Sequence, residues 1–494
     1  MKRVLLAVVL SALWAAPAGA ASPKDDPFYG VPAGIEKLAN GSVIDSRPVT
    51  ATQFSIPIRA KAWQVRFKTQ DTTGAASAYI TTVLVPETPW TGGGPRPVLS
   101  YQMAEDGVGL KCAPSWVLTQ GLAAPSNTTP DASTIAAALD RGWAVVVPDY
   151  QGPDSAWLGG DGQARGVLDG LRAARAFKPA GLDPQAPIGV WGYSGGAIAS
   201  STAAQLQPTY APDLKLAGVA LGGNNASIRG GLGAFDGSLF GGAIAIGFIG
   251  LDRAYPEYRL SDQLNDAGRA AIARSQDDCI IDAVTKHPAL RASSFLKDPS
   301  ALDGPPWTEV FRRASPLTFP GIPAAPVYDY HAVDDQLAPI GPSRLLLERY
   351  CRAGVTVQHR EAPGEHFIEA VAGEAGAVAF LTARFAGQPA LNTCRVPADP
   401  LPVPAAKPAA AKRCAANRVV TIRVRTPRRG RIVSATATVA GKRVAVRRVD
   451  GRHVVRVTLT GRRSATVRVR ITVRTSTGAR YVDQRTYRPC ARRA

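Results

Sequence analysis

The stretch Ile188-Gly189-Val190-Trp191-Gly192-Tyr193-Ser194-Gly195-Gly196-Ala197-Ile198-Ala199-Ser200 decides the fold. Its first four residues read as a short buried strand, and Ala197 to Ser200 open a helix. Between them lies a G-x-S-x-G sequence, Gly192-Tyr193-Ser194-Gly195-Gly196. In a chain with 48 glycines that pattern alone is a weak signal. Placed between a strand and a helix, it reads as a sharp turn that lifts a serine above the end of a sheet. The glycines permit unusual backbone angles and close approach of neighbouring backbone. The helix N-terminus behind Ser194 favours developing negative charge.

Outward from this turn, short Val- and Ile-rich runs alternate with helical stretches. Strands are predicted at 63–69, 78–85, 97–101, 143–148, 188–192, 216–221, 326–331 and 355–360. Helices are predicted at 131–141, 162–177, 198–206, 343–353 and 368–385. Such alternation implies buried, largely parallel strands covered by helices on both faces, an α/β fold. Residues 21–60 read as an irregular lead-in. Residues from about 223 to 315 break the rhythm and read as an inserted, mainly helical cap. Within it the Gly-rich apolar run Leu239–Leu251 is either a buried segment or a lid, since periodicity does not separate the two.

A serine hydroxyl needs a base to act as a nucleophile. After the cap, a strand ends in His331-Ala332-Val333-Asp334-Asp335-Gln336-Leu337-Ala338-Pro339, and an acid there can orient a histidine. Asp335 is preferred to Asp334 for its Asp-x-x-Ala-Pro spacing. The next strand leads to Gly364-Glu365-His366-Phe367, a Gly-containing loop before a helix. His366 is the expected base. His359 lies within a strand, His287 in the cap and His453 in the tail, while His331 remains a rival. The chain order Ser194, Asp335, His366 is that of α/β-hydrolases. An oxyanion needs two N–H donors. One is expected from Gly195, after the serine, and the other from the loop 102–107 that follows an early strand. The plain alternative for Glu105 and Asp106 is a solvated turn.

Several segments together carry a resemblance: Asp26-Pro27-Phe28-Tyr29; Tyr101-Gln102 with Glu105-Asp106 and Cys112-Ala113-Pro114-Ser115; Val147-Pro148-Asp149-Tyr150-Gln151-Gly152; the serine turn; and Gly364-Glu365-His366-Phe367. Over roughly residues 26–390 the chain resembles the secretory lipase family of fungi and actinobacteria. The resemblance implies an α/β-hydrolase with a helical cap that hydrolyses acylglycerols. Carried over by motif, Ser194 is nucleophile, Asp335 acid and His366 base, with Asp106 and Gly195 supplying the oxyanion N–H groups. No cofactor is implied, and no metal-ligand spacing appears.

Composition bounds the rest. Of 494 residues 45% are hydrophobic, too many for a disordered chain, and the glycines follow no G-x-y period, which excludes collagen. The formal charge of +20 is misleading as a global figure. Residues 413–494 hold 23 Lys and Arg against 2 Asp and Glu, a net of +21, which leaves residues 1–412 at −1. Met1-Lys2-Arg3, an apolar stretch to Ala16 and Ala18-Gly19-Ala20 read as a secretory signal over 1–20, too short to span a bilayer. The six cysteines suit an oxidising compartment. Cys414 and Cys490 bracket the basic tail and are paired. Cys351 and Cys394 lie near the end of the large domain, which leaves Cys112 with Cys279.

The catalytic domain is thus expected over 21–395, a Pro/Ala-rich linker over 396–412 and a basic domain over 413–494. In that last segment apolar Val467, Val469, Ile471 and Val473 alternate with Arg468, Arg470, Thr472 and Arg474, which predicts a small all-β, Ig-like sandwich. It has no Phe, Trp or Tyr before Tyr481, so a nucleic-acid partner is not expected. The reading is a secreted, monomeric serine ester hydrolase, a triacylglycerol lipase, with an anionic wall or lipid surface as partner of the tail. Two alternatives stand beside it. One is a short-chain or cell-wall carboxylesterase. The other is a surface-binding protein whose hydrolase body is a relic.

Overall fold

The apolar runs pair into one nine-stranded sheet in the computed structural model, which describes residues 22–123, 129–395, 419–424, 431–449, 452–458 and 467–487. In spatial order the strands are β1 (Val43–Val49), β2 (Ala60–Gln70), β3 (Ala76–Pro86), β5 (Ala144–Pro148), β4 (Val98–Gln102), β6 (Ile188–Tyr193), β7 (Leu216–Gly222), β8 (Val327–Ala332) and β9 (Val357–Ala362). From β5 to β9 all neighbours run parallel, whereas β1, β2, β3 and β5 pair antiparallel. The sheet is therefore mixed, not parallel throughout. The lead-in also holds a strand that pattern reading did not anticipate. β1 carries Asp45, Ser46, Arg47 and Pro48, a composition tolerated only at a sheet edge, and its register slips between Val43 and Asp45.

Two apolar layers cover the sheet. On one face lie α3 (Gly160–Ala176), α4 (Gly195–Tyr210) and α10 (Ile340–Arg352), which contribute Leu168, Leu171, Ala203 and Leu346 to a common core. On the other lie α1 (Pro114–Gln120), α2 (Thr129–Asp140) and α12 (Glu374–Phe385), which contribute Leu118, Ile135, Ala377 and Leu381. The single helix expected over 368–385 is two, α11 (His366–Ala372) and α12, parted at Gly373. A Cβ at Gly373 would lie 2.1 Å from the Tyr330 ring, so only glycine allows this close approach to β8.

Between β7 and β8 the chain forms α5 (Ile228–Phe235), α6 (Ala243–Ala254), α7 (Asp266–Arg274), α8 (Ile280–Lys286) and α9 (Trp307–Ala314). These helices share a core of Phe248, Phe295, Trp307 and Phe311 with Trp157 and Leu158, which precede α3. The run Leu239–Leu251 divides: α6 is buried, while Leu239 is 76% exposed. Disulfides join Cys112 to Cys279 and Cys351 to Cys394. The signal sequence, the linker and the Cys414–Cys490 pair lie outside the described residues. No helix among the described residues is long and apolar enough to cross a membrane.

The chain divides into two compact units, Met1–Leu401 and Pro402–Ala494. In the second, β10 (Val419–Arg423), β14 (Arg452–Thr458) and β13 (Val446–Val449) form one antiparallel sheet. β12 (Lys442–Val444), β11 (Ile432–Val439), β15 (Val467–Thr475) and β16 (Arg480–Tyr487) form another. Their inner residues, among them Ile422, Val455, Val469 and Ile471, close a small core.

The large unit buries several carboxyl groups. Burial pushes Asp149 up to about 7 although Ser115 hydrogen-bonds it, and Asp131 likewise to about 7 beside Tyr101. Burial raises Glu105 well above its usual range, with Asp149 adding to the effect. His359 is raised as well: burial opposes its charge, but hydrogen bonds to Asp329 and Glu361 outweigh it. Through these groups the folded state binds more protons than the unfolded chain from about pH 5 to 7, above the range where the depressed carboxylates such as Glu361 act the other way, and their contribution to stability falls as pH rises through that window. His359 acts in the same direction, since its contribution is lost as pH rises through its folded value. The thermal midpoint is expected to be higher at about pH 5 than at about pH 8, with the gap narrowed in Asp149→Asn. A midpoint that is flat or rises over this range would contradict the assignment.

Candidate active site

β6 ends at Tyr193, α4 begins at Gly195, and Ser194 takes the turn between them with φ 53° and ψ −121°. For a non-glycine residue this is a strained conformation, held by its surroundings. Its neighbours show why they are glycines. A Cβ at Gly195 would lie 1.9 Å from Asp106 Oδ1, one at Gly196 would lie 2.0 Å from the Gln102 carbonyl, and one at Gly192 would lie 2.3 Å from the Gly196 carbonyl. The turn is thereby pressed against the loop that follows β4.

Ser194 Oγ lies 2.9 Å from His366 Nε2, and His366 Nδ1 lies 2.7 Å from Asp335 Oδ2. With Nδ1 protonated and donating to the carboxylate, Nε2 is free to accept from the serine hydroxyl. Asp335 follows β8, and its Oδ1 accepts from the Leu337 and Ala338 N–H groups. His366 opens α11, capped by Glu365, whose carboxylate accepts from the Phe367 and Ile368 N–H groups. The His366 carbonyl accepts from Tyr193 Oη at 2.6 Å, and its N–H donates to Gln336 Oε1 at 3.1 Å. Asp335 and His366 are buried, while Ser194 is partly open. Asp334 is exposed and outside this chain of bonds.

The other histidines are engaged elsewhere. His287 bonds Ser275 within the cap, His359 is held between Asp329 and Glu361, and His453 lies on β14. The rival His331 is close to the site yet does not face the serine. It is fully buried, with Nε2 at 2.7 Å from the Ala338 carbonyl and 3.5 Å from Asp335 Oδ2.

Glu105 is buried and Asp106 half-buried, so the segment is not a solvated turn. Tyr150 Oη donates to the Met103 carbonyl and accepts from the Glu105 N–H, while the Asp106 carbonyl accepts from Ile280 N–H in the cap. Burial pushes the Asp106 carboxyl up to about 6, partly countered by His366. Asp106, Ser194 and Gly195 line one cavity of about 380 Å³. Apolar residues of the cap line it, including Ile228, Leu232, Ile244, Phe248, Leu251 and Phe311. Pattern reading missed Tyr193 as a tether of His366, and missed Tyr150 and His331 as braces. Their roles depend on contacts across the fold, although the four-residue spacing of His331 from Asp335 was visible.

The family model for secretory lipases matches residues 120–393. The chain is 34% identical to lipase A of Arthroderma benhamiae over 76% of its own length and 82% of the relative. It is 35% identical to a probable inactive lipase of Mycobacterium tuberculosis, over 74% of its own length and 83% of the relative. The X-ray structure of Candida antarctica lipase A superposes with a TM-score of 0.71 at 28% identity, covering 76% of this chain and 88% of that one. On the pairing of an α/β-hydrolase fold with these similarities, the chain belongs to the secretory lipase family and is a secreted carboxylic ester hydrolase of the lipase type.

Proposed function

We propose that the enzyme hydrolyses acylglycerols through an acyl-enzyme on Ser194, with His366 as base and Asp335 as its orienting acid. The observation that carries this reading is the unbroken chain Ser194–His366–Asp335, at 2.9 Å and 2.7 Å. His366 Nε2 takes the hydroxyl proton as Oγ attacks the ester carbonyl, and the new oxyanion accepts from the Gly195 and Asp106 N–H groups. The proton then passes to the alkoxy oxygen, the C–O bond breaks, and the alcohol leaves. Water, deprotonated by His366, attacks the acyl-enzyme and releases the acid. Asp335 stabilises the imidazolium in both halves.

The apolar cavity under the cap supports an acyl chain as the occupant next to Ser194. This favours a lipase acting on acylglycerols over a short-chain or cell-wall esterase. An intact hydrogen-bonded chain speaks against a relic body. We assign the catalytic domain to residues 21–395, with the cap at about 223–315, and the linker to 396–412. The basic domain, 413–494, lies beyond the family match. We read the enzyme as a monomer held on an anionic surface by that domain.

Two outcomes are expected. Ser194→Ala folds but loses ester hydrolysis by a factor of about 10³ or more, because the hydrogen-bonded residues act as a unit. Near-full activity of the folded variant would remove Ser194 from the mechanism. Gly247 lines the cavity, and the nearest atoms to an added Cβ, on Trp157 and Leu158, are 3.9 Å and 4.0 Å away. Gly247→Leu therefore projects into the cavity. At about 0.8 kcal/mol per excluded CH₂, hydrolysis of long-chain relative to butyrate esters should fall on the order of 10- to 100-fold. Equal losses at every chain length would mean that acyl chains lie elsewhere.

A further inference from the structure

The strands of the second unit place its charge with more order than composition reveals. On β15 the residues Val467, Val469, Ile471 and Val473 point into the core, and Arg468, Arg470 and Arg474 are exposed on the opposite face. Cross-strand register extends that face. Arg470 sits opposite Thr438 on β11 and Gln484 on β16, and Thr438 in turn sits opposite Arg443 on β12. One pleat along, Thr472 lies between Thr436 and Val482, and the next row sets Arg474 between Ser434 and Arg480. The result is a grid of guanidinium groups separated by hydroxyl and amide side chains.

No carboxylate answers this charge among the described residues. The single acid of the unit there, Asp483, is opposite inward-facing Ile471 and is held by Arg485 at 2.8 Å. Like charges on neighbouring positions of a sheet are mutually destabilising. A face that keeps five arginines with no acid among them is complementary to an anion from outside. Along β15 successive outward positions are about 7 Å apart, and Arg468 to Arg474 spans about 20 Å, so the cations form a line and not a pocket. Guanidinium forks match phosphate oxygens in pairs, and hydroxyl groups between them add neutral donors. The face offers no aromatic ring on which a base or sugar could stack. Its exposed apolar side chains, Val433 and Val482, are too short to anchor in a bilayer.

We infer that the outer face of the β12–β11–β15–β16 sheet is a track for an extended, linear polymer of phosphate groups, centred on Arg468, Arg470 and Arg474. This rests on the reading that the basic domain holds the enzyme on an anionic surface, and it identifies both the face and the occupant. The phosphates lie along β15, each bridged by a guanidinium, and the bond to the polymer is electrostatic and exchangeable. Its strength follows the release of counterions and declines with salt.

The test uses the full-length enzyme and long-chain inorganic polyphosphate as probe, with polygalacturonate and phosphatidylglycerol vesicles as separate arms, over a range of NaCl. R468Q/R470Q/R474Q is compared with R423Q/R447Q/R456Q, which removes the same charge from the other sheet. The first variant is expected to lose at least tenfold in polyphosphate affinity and about two units of slope in log K against log salt, at 0.7 to 0.9 per phosphate contact. The second is expected to lose less than threefold. Hydrolysis of a soluble ester should match wild type in both, and the thermal midpoint should not fall in either, since removing like charges relieves repulsion. If the triple variant were unstable, R470Q alone should still show a loss greater than R456Q alone. Equal losses from the two faces would overturn the track in favour of unspecific charge. Tighter binding to vesicles or polygalacturonate than to polyphosphate would overturn the occupant. A wild-type enzyme that binds none of the three at low salt would overturn the surface-holding reading itself.

Discussion

The left-handed backbone of Ser194 is the constraint on which the large unit is organised. A serine at φ 53° has no intrinsic reason to stay there. It is kept by β6 on one side, α4 on the other, and three glycines whose missing side chains let the turn lie against Gln102, Asp106 and its own helix. The sheet then needs to bring only two further loops to the same edge. β8 delivers Asp335 and β9 delivers His366, both at the ends where parallel strands terminate together. The three side chains come from segments 172 and 31 residues apart in sequence, yet meet within hydrogen-bond distance. Parallel pairing converts a chain order into a point in space.

Much of this was legible because the signals are local. A strand, a glycine-flanked serine and a helix follow one another without interruption around Ser194, and acid and histidine each follow an apolar run. The short Val- and Ile-rich segments locate eight of the strands because buried strands cannot hide their composition. What was illegible depends on partners distant in sequence. β1 is polar because it is an edge, so it lacks the pattern that betrays its neighbours. The break at Gly373 is imposed by the Tyr330 ring and not by any helix-stop signal. Glu105 and Asp106 look like a solvated turn in isolation, yet Glu105 is buried and Asp106 half-buried, because Tyr150 and the cap hold the segment in place.

Cap and loop are not separable parts. The Asp106 carbonyl bonds to Ile280 N–H, Val108 N–H bonds to the Asp278 carbonyl, Gly107 bridges Cys279, and Cys112 is bonded covalently to the same cysteine. The part of the cap around residues 278–280 is therefore fixed to the edge of the cavity. Any movement that admits substrate must come from elsewhere on its rim, where Leu239 and Phe367 are exposed and the rings of Phe240 and Phe367 meet at 5.9 Å.

The Cys112–Cys279 bond also carries a temporal meaning. Its two ends are 167 residues apart, so the loop beside Ser194 is synthesised long before the segment that braces it. In a reducing cytosol the bond does not form. A chain awaiting export thus holds its serine beside a loop that lacks its covalent support, and the brace closes only on the oxidising side of the membrane. Oxidation after export makes the same bond a marker of place, completing the structure only once the membrane has been crossed.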